Sequence, residues 1–179
     1  VVKHLRELGA TTVVFDIAEN RERLHLIMPD ADAVIWELGD ITDFERLTEV
    51  AEAHNIEGII HLAALQVPFC KADPVGSTRI NVMGSIHMLE LARQRGITRM
   101  SYASSVAAPA MGDNDWLATL YGAHKICGEQ MAAVYWQDWG VPSIGIRPAI
   151  IYGPGRDQGM SAAPTIALMA AEVGEAYTI

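Results

Sequence analysis

The chain has 179 residues, half of them hydrophobic and a fifth charged, which is typical of one soluble globular domain with a sizeable core. Its formal net charge of −9, with no basic patch to offset the acidic residues, argues against binding to nucleic-acid phosphates. The two cysteines and six histidines lack metal-binding spacing, so we predict no metal site. No apolar run reaches the ~18 residues of a membrane span, and we expect a cytoplasmic protein without a membrane partner.

Apolar, strand-like runs alternate with amphipathic helical stretches along the whole chain. This alternation is typical of βαβ units in an α/β protein with a doubly wound parallel sheet, the Rossmann fold, whose ligand site lies at the carboxyl ends of the strands. In chain order, the patterns predict a helix over 1–8, strands over 12–17 and 33–38, a helix over 43–54, a strand over 58–62, a helix over 76–95, a strand over 99–104, a helix over 120–139, a strand over 141–147 and a helix over 163–171.

The first predicted strand carries Asp16 at its carboxyl end, where a dinucleotide-binding fold places an acid about 20 residues beyond its glycine-rich turn. Counting back, those glycines would precede Val1, and the helix over 1–8 would face the pyrophosphate. We therefore expect residues 1–179 to be an incomplete NAD(P)-binding domain, truncated at both ends. The strand missing from the order 3-2-1-4-5-6 is central, so two strand edges, those of the strands that end at Asp16 and Leu62, would be left open.

Tyr121 and Lys125 lie four residues apart on the predicted helix over 120–139 and therefore share one face. A phenol, with a reference pKa of ~10, is a poor base at neutral pH but a usable proton donor, and a neighbouring ammonium is expected to lower its pKa. Such a pair suits proton exchange with an alcohol or carbonyl, although the same spacing is found on ordinary solvated helices. Ser104 and Ser105, at the end of the preceding predicted strand, strengthen the pattern.

Several short motifs in the right order make the segment 16–155 similar to the extended short-chain dehydrogenase/reductase superfamily, in its NAD-dependent epimerase/dehydratase group. Each motif alone is weak, and their shared register makes the signal strong. They are FD at 15–16, GDITD at 39–43, HLAA at 61–64, NVMG at 81–84, YASS at 102–105, YGAHK at 121–125, and RP and YGP at 147–148 and 152–154.

The resemblance implies three catalytic residues. Tyr121 would be the general acid/base on the substrate oxygen, and Lys125 would lower the pKa of Tyr121 and hydrogen-bond the nicotinamide ribose. Ser105, the second serine of its motif, would hold the reacting oxygen. The alternative is that Ser104 and Ser105 merely cap the end of a strand.

The resemblance also implies NAD as the cofactor. Asp16 would accept the hydroxyls of the adenosine ribose, which favours NAD because a carboxylate repels a 2′-phosphate, whereas Arg21 and Arg23 leave NADP open. Structural roles are the alternatives for four of the other implied positions: a turn for Asp40, close packing for Ala63 and Ala64, and a tie between a helix and a strand for Asn81. The further implied cofactor-binding residues are Asp40, Ile41, Leu62, Ala63, Ala64, Asn81, Ser104, Pro148 and Ile151, together with Tyr121 and Lys125.

Two departures from the family pattern bear on the reaction. Ser105 is followed by Val106, Ala107 and Ala108, where dehydratases of the family carry two acids that serve water elimination, and this disfavours a dehydratase. Ile150 stands near the position at which hexose 4-epimerases often have Asn, which weakens a UDP-hexose assignment.

We therefore expect an NAD-dependent dehydrogenase or epimerase that transfers a hydride at a secondary alcohol of a sugar, sugar nucleotide or related hydroxy compound. The substrate-specifying region of such enzymes is mostly C-terminal and would be largely absent. A non-catalytic, NAD(P)-sensing protein of the same fold is the alternative. We also expect a homodimer, in which Tyr135, Trp136 and Trp139 lie at the interface; a core or loop contact explains these three residues equally well.

Overall fold

The computed structural model describes residues 1–110, 119–156 and 161–178. The chain divides into two compact units: a first unit, Val1–Glu37 with Ala149–Ile179, and a second unit, Leu38–Pro148. In chain order the elements of the described residues are α1 (Val2–Glu7), β1 (Val13–Asp16), α2 (Glu22–His25), β2 (Ile35–Leu38), α3 (Phe44–Ala53), β3 (Gly58–His61), α4 (Val67–Ala72), α5 (Pro74–Thr78), a π-helical segment (Arg79–Met83), α6 (Gly84–Arg95), β4 (Arg99–Ala103), α7 (Leu120–Trp139), β5 (Ile144–Ile146) and α8 (Ala163–Glu172), with short 3₁₀ turns at Ala31–Ala33 and Ala108–Ala110.

The strands form two sheets. β1 pairs with β2, and β3, β4 and β5 form a three-stranded sheet in that order. The β3–β4 and β4–β5 pairs are parallel, with Ile59 opposite Met100 and Tyr102 opposite Gly145. These are the neighbours that the predicted Rossmann order requires, and β1 and β3 belong to separate sheets.

Local sequence signals set the helix ends. The carboxylate of Asp43 caps α3 by accepting a hydrogen bond from the Arg46 N–H at 3.0 Å. Gly96 and Gly140 end α6 and α7 in the left-handed conformation, at φ values of 65° and 67° that favour glycine. The observed bounds of α7, Leu120–Trp139, match the prediction at both ends.

The predicted helix over 76–95 differs most from the structure. It begins at Pro74, because the Asp73 carboxylate caps α5 by accepting from the Gly76 N–H at 2.9 Å, and a π-helical segment then interrupts it before α6. The predicted strand over 141–147 is shorter, Ile144–Ile146. The sequence reasoning missed the short helices α2 and α4, of four and six residues.

Each unit has its own apolar interior. In the first unit Met28, Ala31 and Val34 are buried, with Val14 of β1 packed against them. In the second unit α3 buries Leu47, Val50 and Ala51. Among the described residues, no helix is both long and apolar enough to cross a bilayer.

Candidate active site

The end of β4 and the first turns of α7 bring together three of the predicted residues, Ser105, Tyr121 and Lys125, which we call the reacting cluster. Thr119 caps α7 by accepting from the Gly122 N–H at 3.0 Å, so Tyr121 lies in the first turn of the helix. Lys125 lies one turn further on, with its Nζ 5.5 Å from the centroid of the Tyr121 ring. That Nζ also donates a hydrogen bond to the Ala103 carbonyl, at the end of β4, at 2.6 Å.

Gly122 allows the start of α7 to approach the segment that follows Ser105. A Cβ atom at this position would lie 2.4 Å from the Ala107 carbonyl oxygen, which is too close for any residue with a side chain unless the backbone shifts. The Ser105 hydroxyl accepts a hydrogen bond from the Ala107 N–H at 3.1 Å, which holds the same segment as a local turn. The glycine of the YGAHK motif is therefore required by a close backbone approach.

Burial raises the pKa of the Tyr121 phenol above its usual value, because removing the phenolate from water is unfavourable. Hydrogen bonding with the Ser105 side chain acts in the opposite direction but does not reverse the shift. At neutral pH Tyr121 is therefore a phenol that is able to donate a proton.

Burial lowers the pKa of the Lys125 ammonium, which is itself largely removed from water. The expected lowering of the Tyr121 pKa by Lys125 is not what the structure shows. The ammonium binds the Ala103 carbonyl and lies over the ring face, and burial is the largest cause of the shift in the Tyr121 pKa.

Ser104 is held apart from the reacting cluster. Its side chain is 1% exposed and its hydroxyl donates to a carboxylate oxygen of Glu129 on α7. Glu129 also accepts two hydrogen bonds from Arg147, which follows β5, and this ion pair and the bond from Ser104 lower the pKa of Glu129. Sequence reasoning missed Glu129, although its position four residues after Lys125 places it on the same helical face.

Asn81 ties the turn that follows β3 to the π-helical segment. Its Oδ1 accepts from the Leu65 N–H at 2.7 Å, and its Nδ2 donates to the Leu65 carbonyl at 2.9 Å. These bonds are the ones that a structural role for Asn81 predicts, and its contact with the cofactor stays a prediction. The predicted cofactor residues Leu62, Ala63 and Ala64 lie in this turn, directly before Leu65.

His61, the last residue of β3, is buried and neutral. The Ser85 hydroxyl donates to the Asn81 carbonyl at 2.6 Å, so it accepts from His61 Nε2 at 3.1 Å. Burial, with a smaller contribution from the Lys125 charge, lowers the pKa of His61 to about 4.

Asp40 and Ile41 make local and core contacts. The Asp40 Oδ1 accepts from both the N–H and the hydroxyl of Thr42, each at 2.8 Å, as in an Asx turn. The Ile41 side chain is buried against Gly84, where a Cβ atom would lie 2.8 Å from Ile41 Cγ2. Pro148, also in the second unit, accepts a hydrogen bond from the Val106 N–H at 3.3 Å through its carbonyl.

The first unit contains the remaining predicted residues, Asp16 and Ile151, both exposed. The Arg21 side chain is bound to other residues of this unit. Its guanidinium donates to the carbonyls of Ala31 and Val34 at 2.8 and 2.9 Å, pairs with Glu19, and lies 5.5 Å from the Trp36 ring centroid.

The first unit also contains a cavity of about 470 Å³, which lies away from the predicted cofactor end of its strands. Its lining includes Thr12, just before β1, and Ile35, the first residue of β2, so the cavity lies at the amino ends of these strands. Dinucleotide sites lie at the carboxyl ends, where Asp16 is found. Among the described residues, no group of three or more His, Cys, Asp and Glu side chains is arranged to hold a metal ion.

Comparisons with known proteins agree with this geometry. The sequence model described as "NAD dependent epimerase/dehydratase family" matches residues 1–179. An uncharacterised protein of Methanocaldococcus jannaschii is 32% identical over 124 residues, which cover 64% of this chain and 38% of the relative.

Two solved structures show the same fold. L-threonine dehydrogenase from Clostridium difficile has a TM-score of 0.79 and 25% identity, over 95% of this chain and 55% of that one. UDP-glucose 4-epimerase from Brucella ovis, solved in complex with NAD, has a TM-score of 0.67 and 26% identity, over 84% and 46%. The matches confirm the predicted Rossmann fold and family resemblance, and the chain spans only 38% to 55% of the length of these three proteins.

Proposed function

Because the chain belongs to the NAD dependent epimerase/dehydratase family, we propose that the protein is an NAD-dependent dehydrogenase or epimerase that reacts at a secondary alcohol of a sugar, sugar nucleotide or related hydroxy compound. The observation that carries the proposal is the reacting cluster. A half-buried phenol, a serine hydroxyl that acts to lower the pKa of that phenol, and a partly buried ammonium lie together at the carboxyl end of the parallel strand β4.

The residues of the reacting cluster divide the proton chemistry among them. NAD, when bound, supplies the hydride acceptor and donor. Ser105 donates a hydrogen bond to the substrate oxygen, and Tyr121 exchanges a proton with that same oxygen. Lys125 places a positive charge over the Tyr121 ring, which favours the phenolate that forms when the carbonyl is protonated.

The raised pKa of Tyr121 gives the reaction a direction-dependent response to pH. At neutral pH the phenol is protonated and ready to donate, which suits carbonyl reduction. Alcohol oxidation requires the phenolate, whose fraction increases with pH, so the oxidation rate should rise as the pH increases above 7.

The residues present fit NAD better than NADP. The exposed Asp16 carboxylate ends β1, where it would accept ribose hydroxyls and repel a 2′-phosphate. The Arg21 guanidinium is already bound to two backbone carbonyls, to Glu19 and over the Trp36 ring. The Arg23 side chain passes close to Gly155, with its Cδ 3.6 Å from the position of a Cβ atom there. We expect wild-type protein to bind NADH at least about tenfold more tightly than NADPH, because like charges brought together cost several kcal/mol. The variant Asp16→Ser should lose this preference, and an unchanged preference would contradict the role of Asp16.

The substrate test is a panel in which NADH fluorescence is followed in the full-length protein. The panel contains sugar nucleotides and sugar acids, and also L-threonine and UDP-glucose, the compounds that the names of the two structural relatives contain. NADH accumulation indicates a dehydrogenase, and a stereoisomeric product without accumulation indicates an epimerase. If the protein binds NADH but gives neither NADH accumulation nor a product with any compound of the panel, the NAD(P)-sensing alternative replaces this proposal.

We propose, further, that the protein is a cytoplasmic homodimer joined through α7. Trp136 and Trp139 are 62% and 52% exposed on this helix, whereas Tyr135 is buried and its hydroxyl donates to Glu90 at 3.1 Å. Of the three residues expected at an interface, Tyr135 therefore packs within its own chain. Light scattering on wild-type protein and on Trp136→Lys tests the dimer, which should dissociate in the variant; a monomeric wild type would reject it.

A further inference from the structure

His124 lies on α7 between Tyr121 and Lys125, and the reaction proposed above does not use it. The imidazole is 5% exposed and makes hydrogen bonds on both of its nitrogens. Its partners are Thr78, on α5, and Asn81, in the π-helical segment. A buried titratable ring that joins three helical segments beside the reacting cluster calls for a physical role.

The Thr78 hydroxyl determines which imidazole nitrogen carries the hydrogen. Thr78 Oγ1 lies 2.7 Å from the Pro74 carbonyl and 3.0 Å from His124 Nε2. The carbonyl only accepts, so the single hydroxyl proton goes to Pro74 and Thr78 accepts from the ring. His124 is therefore protonated on Nε2.

Asn81 determines the state of the other nitrogen. Because the Leu65 N–H donates to Oδ1, the orientation of the Asn81 amide is fixed and Nδ2 faces the ring. One Nδ2 proton goes to the Leu65 carbonyl at 2.9 Å. The other faces His124 Nδ1 at 3.2 Å and Cys70 Sγ at 3.4 Å, and the imidazole nitrogen is the nearer and stronger acceptor. Nδ1 must then be an unprotonated acceptor, so the ring is neutral. A lowered pKa of His124, caused by burial and then by the Lys125 charge, agrees with this state.

We infer that His124 is a positioning residue that, as the neutral Nε2–H tautomer, couples the helix of the reacting cluster to the turn after β3. The coupling passes through Asn81, which His124 orients, to both backbone groups of Leu65. We call the chain of contacts from Thr78 through His124 and Asn81 to Leu65 the tether. Its consequence for cofactor binding rests on the proposed function, which assigns the residues before Leu65 to NAD.

Cys70 completes the surroundings of His124 without acting as a nucleophile. Its Sγ lies 4.0 Å from His124 Nδ1, so cysteine, histidine and asparagine side chains meet as they do in some hydrolases. However, Cys70 is 1% exposed, and its thiol donates to the Leu65 carbonyl at 3.2 Å. The thiol thus adds a further contact to the same turn.

Two variants of His124 test whether its hydrogen bond to Asn81 or only its volume holds the turn after β3. His124→Asn keeps an acceptor close to the position of Nδ1, whereas His124→Leu fills the space without one. We expect His124→Leu to speed hydrogen exchange of the Leu65 amide about tenfold and to weaken NADH binding about tenfold, because one buried proton of the Asn81 amide is left with only the weak Cys70 Sγ acceptor. His124→Asn should restore both quantities to nearly wild-type values.

A second pair of variants keeps the inference testable if His124→Leu does not fold. Thr78→Val removes the acceptor that fixes the tautomer. Thr48→Val is its matched control, because the Thr48 hydroxyl makes the same kind of intrahelical bond, to the Phe44 carbonyl at 2.9 Å, with no histidine attached. Thr78→Val should speed Leu65 exchange and shift the ¹⁵N spectrum of His124 away from the pure Nε2–H form. Thr48→Val should change neither.

The outcomes test the tether separately from the proposed function. A wild-type ¹⁵N spectrum of the Nδ1–H or doubly protonated ring at pH 7 would overturn the inference. Unchanged Leu65 exchange in the folded His124→Leu and Thr78→Val variants would overturn it as well, while leaving NAD binding and the proposed function untouched. If wild-type protein does not bind NADH but Leu65 exchange responds to these variants, the tether stands and the proposed function fails.

Discussion

The reacting cluster and the tether are two sets of polar side chains held differently around the same stretch of α7. In the tether every side-chain proton has an identified acceptor, from Thr78 to Pro74, from His124 to Thr78 and from Asn81 to Leu65 and His124. In the reacting cluster, burial rather than a charged partner sets the protonation of Tyr121 and Lys125. The difference agrees with the proposed roles, in which the tether maintains geometry and the reacting cluster exchanges protons. Variants in the first set should alter structure, and variants in the second should alter chemistry.

The largest expected effect tests the chemical side of this comparison. Tyr121→Phe should lower turnover of the substrate identified by the panel by about 10²–10⁴-fold, because the general acid is lost. NADH binding and the thermal midpoint should stay near wild type. Tyr135→Phe is the matched control on α7: it removes only the hydroxyl bond to Glu90 and should leave turnover unchanged. Equal turnover in Tyr121→Phe and wild type would remove Tyr121 from the mechanism.

Acid should lower the stability of the fold through His61, a buried histidine outside both the reacting cluster and the tether. The folded-state pKa of His61, about 4, lies below its unfolded value, so between about pH 6.5 and pH 4 only the unfolded chain gains this proton. The free energy of unfolding should therefore fall by about 3 kcal/mol over that window, since one pKa unit corresponds to about 1.4 kcal/mol. Chemical denaturation at several pH values measures the fall. His61→Gln should remove most of it and leave the smaller slope of His124, whose pKa is also lowered.

Gly122 tests whether the close approach of α7 matters to the reacting cluster. Gly122→Ala places a methyl group against the Ala107 carbonyl and should destabilise the fold by about 1–3 kcal/mol, the usual cost of overpacking. Gly128→Ala is the matched control on the same helix, where a Cβ atom meets nothing within 4 Å. It should stabilise the protein by up to about 1 kcal/mol, because alanine has the higher helix propensity. Equal midpoints of the two variants would contradict this account of the motif.

The smallest expected effect concerns Glu129, which joins Ser104 and Arg147. Glu129→Gln keeps the shape of the side chain and should lower the thermal midpoint only slightly, because the Arg147 end of the ion pair is 46% exposed. The pKa of Glu129 is lowered in the folded state, so the stability it contributes is present above the usual carboxyl range and is lost as the pH falls through it. The two midpoints should therefore converge in acid. A gap that stays constant down to low pH would show that the charge is not involved.

Elements whose pattern or ends depend on neighbouring residues were predicted from the sequence, and an element without such a local pattern was not. The bounds of α7 were predicted at both ends, and in the structure the residues next to those ends, Thr119 and Gly140, set them. The strand ending at Asp16 was recognised from its apolar run alone. The π-helical segment was missed, because no pattern in residues 79–83 distinguishes it from the regular helix on either side.

The candidate site divides in the same way. Tyr121 and Lys125 share a helical face by spacing alone, but the direction of the Tyr121 pKa was wrong in the sequence-based expectation. The shift depends on burial by neighbouring elements, which no local pattern contains. The bonds of Glu129 to Ser104 and of His124 to Asn81 join residues 25 and 43 positions apart, and no motif links them.

The sequence by itself determined the order of the strands and longer helices, the family, and the shared helical face of Tyr121 and Lys125, because periodicity and motif spacing act over a few residues. Only the tertiary structure decided which of those side chains are buried, which hydrogen-bond each other, and which form of each is protonated. Those properties depend on distances and solvent exclusion between segments far apart in the chain. His124 and Lys125 show the result, since two neighbours in one motif have different partners once α7 is packed in place.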